Sequence, residues 1–263
     1  MLPPQPYQGG ANMNRQPDDP LQPLVRKLEA HFSLTEADKR AVLALPHTMR
    51  RLEAQSYTMR EGDRPKKCAV LLSGYAYRHK VTAEGARQIM ALHIPGDALD
   101  FQNLFLRESD HNVQMLTRGT IAEIPMTAIE ELALNNRDIG RAILITILIE
   151  ASIFREWTLN VGRRDARSRI AHLLCEFAYR LTAYGVQPSG TYELPMTQEQ
   201  LADATGLTAV HVNRVLQALQ REGLIDRDRR MVRFPSWERM RDVADFNPRY
   251  LHTREHSRST HVG

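Results

Sequence analysis

A chain of 263 residues with 42% hydrophobic and 25% charged residues has the length and balance of one large or two ordinary globular domains, which excludes a fibrous or wholly disordered protein. The net charge of +4 is unevenly placed: acids and bases balance over 1–162, so the excess lies in 163–263, where every Lys or Arg position is Arg. Such a segment suits an anionic partner such as nucleic acid, although a solvated Arg-rich surface has the same composition. Cys68 and Cys175 stand alone, without CxxC or Cys/His ligand spacing. Neither a disulfide framework nor a zinc site is indicated, and a reducing cytoplasm is expected. The opening MLPPQPYQGGANMNRQPDDP has neither the basic lead nor the apolar run of a secretion signal. The most apolar run, AILITILI at 142–149, is far shorter than the roughly 20 residues of a membrane helix, so no membrane span is expected.

In chain order, residues 1–22 are rich in Pro, Gln, Asn and Gly and read as a disordered extension. Leu24, Leu28 and Phe32, then Ala41, Val42 and Leu45, repeat with helical spacing around a cap at Thr35, predicting two short helices. From about Met49 short runs alternate with turns: EGD at 61–63, SG at 73–74, TAEG at 82–85, PGD at 95–97 and RG at 118–119. The runs between them, CAVLL, YAYRHKV, RQIMALHI, HNVQMLT and IAEI, predict an antiparallel sandwich or roll over 23–136. A long helix over 137–162 follows, with Ile139, Ile143, Ile147, Ala151 and Phe154 as its stripe and Leu144, Leu148 and Leu159 beside it. Such a broad apolar surface needs a second partner besides the roll. A symmetric copy and burial within one chain both satisfy the pattern. Asp165 is placed to cap a restarted helix whose face is Ile170, Leu173, Leu174, Phe177 and Leu181, which puts a boundary near Gly162–Asp165.

Residues 196–225, MTQEQLADATGLTAVHVNRVLQALQREGLI, carry the most specific signal. Thr197 and Gln200 have capping-box spacing, Leu201 and Ala204 form the core face of a short helix, and Gly206 ends it. Thr208 caps a second helix that buries Val212, Val215, Leu216 and Leu219, making a helix-turn-helix. At about 100° per residue the opposite face carries Val210, Arg214, Gln217 and Arg221, with His211 and Asn213 on its flanks. Arg can bond guanine O6 and N7, His or Asn can read base edges, and Val can pack on a thymine methyl. Any surface helix exposes polar residues, so the flanking sequence decides. DRDRR between GLI and MVRF predicts a charged hairpin directly after the helix, a wing whose Arg227, Arg229, Arg230 and Arg233 could contact phosphates.

The order of a roll with EGD and PGD turns, a long helix, DARSRIAHLL and PMTQEQLADATGLTAVHVNRVLQALQREGLI resembles the Crp/Fnr family of bacterial transcription regulators over roughly residues 24–245. The resemblance implies an α+β architecture: an N-terminal antiparallel, cyclic-nucleotide-binding-like β-roll, a dimerisation helix and a C-terminal winged helix-turn-helix over 163–246, with 247–263 left as a flexible tail. It implies a dimeric, sequence-specific regulator that binds double-stranded DNA, works with RNA polymerase and is not an enzyme. Carried over by position, Thr197, Gln198 and Thr208 would hold phosphates, and Arg214 falls on the family's frequent base-reading arginine. Ala209 and Val210 stand where the cyclic-AMP-responsive members have an Arg-Glu pair.

Those members also carry a Gly-Glu pair after the PGD-like turn and an Arg-Ser or Arg-Thr pair further on. Here Asp100 and Phe101 lie near the first and His111 and Asn112 near the second, with no arginine in the replacement, so cyclic AMP is not expected. Nor is an iron-sulfur cluster, since the N-terminus lacks the cysteines. The effector stays unassigned. His79, His93 and His111 match no ligand motif and read as surface or hydrogen-bonded histidines, and Cys68 beside AVLL as a small buried thiol. Two other functions compete: an enzyme with a roll-bound metal on His93, Asp97, Asp100 and His111, and a protein-interaction module that uses the winged helix without specific DNA binding.

Overall fold

The computed structural model describes residues 19–187 and 190–253. Residues 1–18 of the expected extension and 254–263 of the expected tail lie outside them. The rest of both expectations needs correction, because Leu21 is already fully buried and Leu251 and Thr253 are buried at the other end.

Among the described residues the first compact unit is built from 19–80 and 91–151. It begins with helices α1 (Gln22–Glu29) and α2 (Glu36–Leu43), the latter capped at Thr35 as its sequence predicts, with Asp38 completing a reciprocal box. Strands β1 (Thr48–Leu52), β3 (Lys67–Ser73) and β7 (Gly119–Pro125) form one antiparallel sheet in the order β1-β7-β3. A second sheet has the order β2-β6-β4-β5, from β2 (Tyr57–Met59), β6 (Asn112–Met115), β4 (Ala76–Val81) and β5 (Arg87–His93). The continuous run CAVLL lies in β3, buried on both faces. Cys68 and Val70 join a core with Leu24, Val25 and Leu28 of α1, while Ala69 and Leu71 join Met59, Val113 and Met115. A strand covered on both sides needs no polar alternation, which is why this one reads as unbroken hydrophobicity. Gly96 in the PGD turn has φ +99°, and a Cβ there would meet the Pro23 carbonyl oxygen at 2.6 Å. Lys27 and Asp97 close the same corner with a 2.7 Å ion pair.

Helix α3 (Met126–Asn135) leads into α4 (Arg137–Arg163), whose first half belongs to this unit. The second unit takes α4 from Ser152 onward, so the compact boundary falls inside the helix rather than at the expected break near Gly162–Asp165. Side-chain bonds to α5 (Ala166–Ala183) explain the difference: Trp157 Nε1 donates to the Glu176 carboxylate at 3.0 Å, and Asn160 Nδ2 to the Arg169 carbonyl at 3.2 Å. Asp165 caps α5 by accepting from the Ser168 amide.

Besides residues 81–90, the second unit also holds α6 (Gln198–Thr205), α7 (Ala209–Arg221) and a three-stranded sheet of order β8-β10-β9. Strands β9 (Asp226–Asp228) and β10 (Met231–Arg233) are the expected hairpin; β8 (Thr191–Glu193) adds a third strand that its short, mixed sequence did not signal. Helix α8 (Trp237–Val243) and a single 3-10 turn (Pro248–Leu251) complete it. Residues 244–253, mostly expected to be tail, instead strap α5. Phe246 packs against His172, Tyr179, Trp237 and Tyr250. Tyr250 donates to Glu176 at 2.7 Å, and Thr253 and Tyr179 share a 2.9 Å hydroxyl bond.

Candidate nucleic-acid interface

The geometry of α6 and α7 follows from local chemistry. Thr197 Oγ1 accepts from the Gln200 amide while Gln200 Oε1 accepts from the Thr197 amide, the reciprocal box that its spacing predicts. Gly206 ends α6 in the left-handed region with φ +65°, where a Cβ would meet Val161 at 3.3 Å. Thr208 Oγ1 accepts from the His211 amide and starts α7. Both threonines are exposed and each keeps its hydroxyl proton at a helix N-terminus, where an anionic oxygen is favoured by charge and by the free amides.

Val212, Val215, Leu216 and Leu219 bury one face of α7. The opposite face presents Val210, His211, Arg214, Gln217 and Arg221, all exposed. Val210 is 63% exposed, which a β-branched apolar side chain gains nothing from in the isolated molecule. Thr208, Val210, His211 and Arg214 line an open hollow along this face. Among the described residues Arg214 makes no side-chain bond. Asn213 differs from the others: half-buried between α6 and α7, its Oδ1 accepts from Gln198 Nε2 at 2.9 Å.

Beside this face the wing turns at Arg229 (φ +52°) and Arg230, both exposed. Arg233 is exposed but pairs with Asp226, and Arg227 Nε donates to the Arg229 carbonyl. The wing therefore offers two unpaired guanidinium groups rather than the four its sequence suggests. Sequence reasoning missed Arg169, whose NH1 donates to the Thr205 carbonyl at 2.7 Å and NH2 to the Arg164 carbonyl at 2.9 Å. It thereby fastens the end of α6 to the start of α5. An Arg within DARSR reads as a solvated charge, and only long-range packing reveals its task.

In the roll, His79, His93 and His111 are all buried, at 2%, 3% and 4% exposure, so the surface reading of them is corrected. Burial and the nearby Arg78 guanidinium push the His111 imidazole down to about 4. Asp100 accepts from the Ala69 amide at 3.1 Å, and burial raises its carboxyl to about 6. The Cys68 thiol, buried beside Asp100, is held well above its usual range, as suits an inert thiol. A basic residue that the local sequence did not reveal is also present. Arg78 enters from β4, donating to the Leu99 carbonyl at 2.8 Å and pairing with Glu150 at 3.3 Å. The Arg78 guanidinium is thus engaged by Glu150 and the Leu99 carbonyl, with the Asp100 carboxyl also buried in this interior. Among the described residues no three His, Cys, Asp or Glu side chains form a group that could hold a metal ion.

A roll of this kind followed by a winged helix-turn-helix defines a DNA-binding transcription regulator, and comparison with known proteins agrees. Residues 49–136 match the cyclic nucleotide-binding domain and residues 168–243 the Crp-like helix-turn-helix domain. The chain is 29% identical over 193 residues to the transcriptional activator protein FnrL of Cereibacter sphaeroides, covering 72% of this chain and 77% of FnrL. It is 25% identical over 203 residues to the transcriptional activator protein Anr of Pseudomonas protegens, covering 77% and 80%. Among solved structures, FixK2 from Bradyrhizobium japonicum shares the fold with a TM-score of 0.69 at 22% identity, over 76% of this chain and 98% of FixK2. The protein belongs to the Crp/Fnr family of transcription regulators. The protein-interaction alternative is not favoured by these matches. No helix among the described residues is long and apolar enough to cross a membrane.

Proposed function

We propose that the protein acts as a homodimer that places α7 of each subunit in the major groove of a two-fold-symmetric operator. The observation that carries this reading is the outer face of α7, where exposed Val210 and unpaired Arg214 stand between the capped N-terminus at Thr208 and the wing. Thr197 and Thr208 would hold backbone phosphates, which set register, while Val210, His211, Asn213, Arg214 and Gln217 meet base edges. On a dimer the two helices would lie about 34 Å apart, one turn of duplex. Selection from randomised duplex DNA by the purified full chain tests the reading: recovery of an inverted repeat with that spacing is expected, and recovery of no common sequence would overturn it.

The dimer reading draws on α4, where Leu144, Leu148 and Leu159 are 50%, 58% and 46% exposed along one side. Apolar side chains four and eleven residues apart share one side of a helix and favour a second helix packed alongside. The effector of the roll is read as something other than cyclic AMP, on the strength of Asp100 and of the engaged Arg78. Calorimetric titration with cyclic AMP should show no saturable heat, and micromolar binding would refute this. RNA polymerase is the further partner expected of such a regulator; transcription from a selected operator in a purified system, with and without the protein, tests it.

A further inference from the structure

Position by position, the family resemblance assigns Gln198 to a phosphate, yet the fold gives it a different partner. Gln198 is the first residue of α6, and its side chain crosses to α7, where Nε2 donates to Asn213 Oδ1 at 2.9 Å. Both side chains are half-buried, and Asn213 is next in sequence to the exposed Arg214. A primary amide has an accepting and a donating end, and a bond between two amides sets the accepting end of one against the donating end of the other. With Oδ1 committed to Gln198, the two protons of Asn213 Nδ2 are turned away from α6, and no described residue accepts them. The second lone pair of Oδ1 stays open.

We propose that Gln198 is a positioning residue for base recognition: by holding Asn213 Oδ1 it sets the Asn213 amide to read a purine N7, adenine above all, at one base pair of each half-site. Adenine offers the N7 acceptor to Nδ2 and its N6 donor to the open lone pair of Oδ1. Cytosine presents a donor at N4 and no acceptor for Nδ2. Its N4 can meet only the open lone pair of Oδ1, one bond where adenine makes two. The inference rests on the proposed placement of α7 in the major groove, and it makes specificity at this base pair depend on a residue outside the recognition helix.

The test is selection from randomised half-sites by the full-length protein and three variants, Asn213→Ala, Gln198→Ala and Gln198→Glu, with thermal unfolding recorded for each. Gln198→Glu keeps a favourable acid at a helix N-terminus and is expected to stay folded. Asn213→Ala and Gln198→Ala should lose preference at the same single base pair, by about tenfold, with the other positions unchanged. Gln198→Glu can only accept, so Asn213 must turn Nδ2 toward it and face Oδ1 to the groove. Preference for adenine at that base pair should then be lost, because Oδ1 faces the N7 acceptor and Nδ2 the N6 donor. Two results would overturn the inference: Gln198→Ala weakening all sequences equally with base preferences intact, as loss of a phosphate contact would, or Gln198→Glu retaining adenine. Failure of the wild-type chain to select any sequence would instead overturn the placement of α7 itself.

Discussion

Arg214 leaves α7 exposed and without a side-chain partner among the described residues, so its removal disturbs nothing inside the protein. Arg214→Ala is therefore expected to leave the unfolding midpoint unchanged while weakening specific DNA binding by about 1–3 kcal/mol. A gel-shift titration on a selected operator and on unrelated DNA checks this, and unchanged discrimination between the two would remove Arg214 from base reading. Asp100 is the opposite case, a buried carboxyl whose effect is internal. Held at about 6 instead of the ordinary 3.8, it favours the folded state while protonated at low pH, loses that contribution as pH rises, and carries its full cost above about 6. Asp100→Asn should therefore stabilise the roll at pH 7, by at most on the order of 3 kcal/mol, with the gain shrinking toward pH 4. His111, lowered to about 4, has the reverse dependence: its contribution is present above its ordinary 6.5 and is lost as pH falls toward 4. In Asp100→Asn this histidine effect is no longer offset, so acid unfolding should steepen between pH 6 and 4 in denaturant titrations followed at several pH values.

At the scale of elements, α6 and α7 were legible because their information is local. Thr197 with Gln200, Gly206 and Thr208 are capping and turn signals that need only neighbours in sequence, and each appears in the fold in the role its position predicts. The segment 244–253 was not legible. ADFNPRYLHT has no helical or strand period, yet it crosses α5 and buries Phe246, Leu251 and Thr253. It also serves the junction of α4 and α5: Arg164, at 8% side-chain exposure, bonds Glu156 at 2.7 Å and Asp245 at 3.1 Å. This strap lies beyond the matched helix-turn-helix domain, which ends at residue 243. Phe246→Ala is expected to cost about 3–5 kcal/mol, since the ring fills space among four aromatic neighbours. Denaturant unfolding monitored in the C-terminal unit measures it, and a loss below about 1 kcal/mol would show that the strap is not part of the core.

For the molecule as a whole, the exposed Leu144 and Leu148 on α4 are the feature that one chain does not resolve. Leu148→Asp changes little inside the subunit, where this side chain is 58% exposed, but would set a charge in the seam of a dimer. Sedimentation of the variant should show a monomer where the wild type shows a dimer. Its affinity for a two-half-site operator should fall by about a hundredfold or more, because the second half-site is no longer bound from a linked subunit. A variant that stays dimeric would move the interface off this stripe.

The amino-acid sequence alone determined the order of roll, long helix and winged helix-turn-helix, the caps of α2, α5, α6 and α7, and the face of α7 turned away from the core. All of these rest on periodicity and on contacts a few residues apart, where backbone geometry leaves little choice. Only the tertiary structure decided that Gln198 meets Asn213 rather than solvent, that Arg78 enters the roll interior from a neighbouring strand, and that 244–253 is a strap. Those outcomes join residues 15 to 74 positions apart. Such pairings are set by how elements pack, and no local pattern records them.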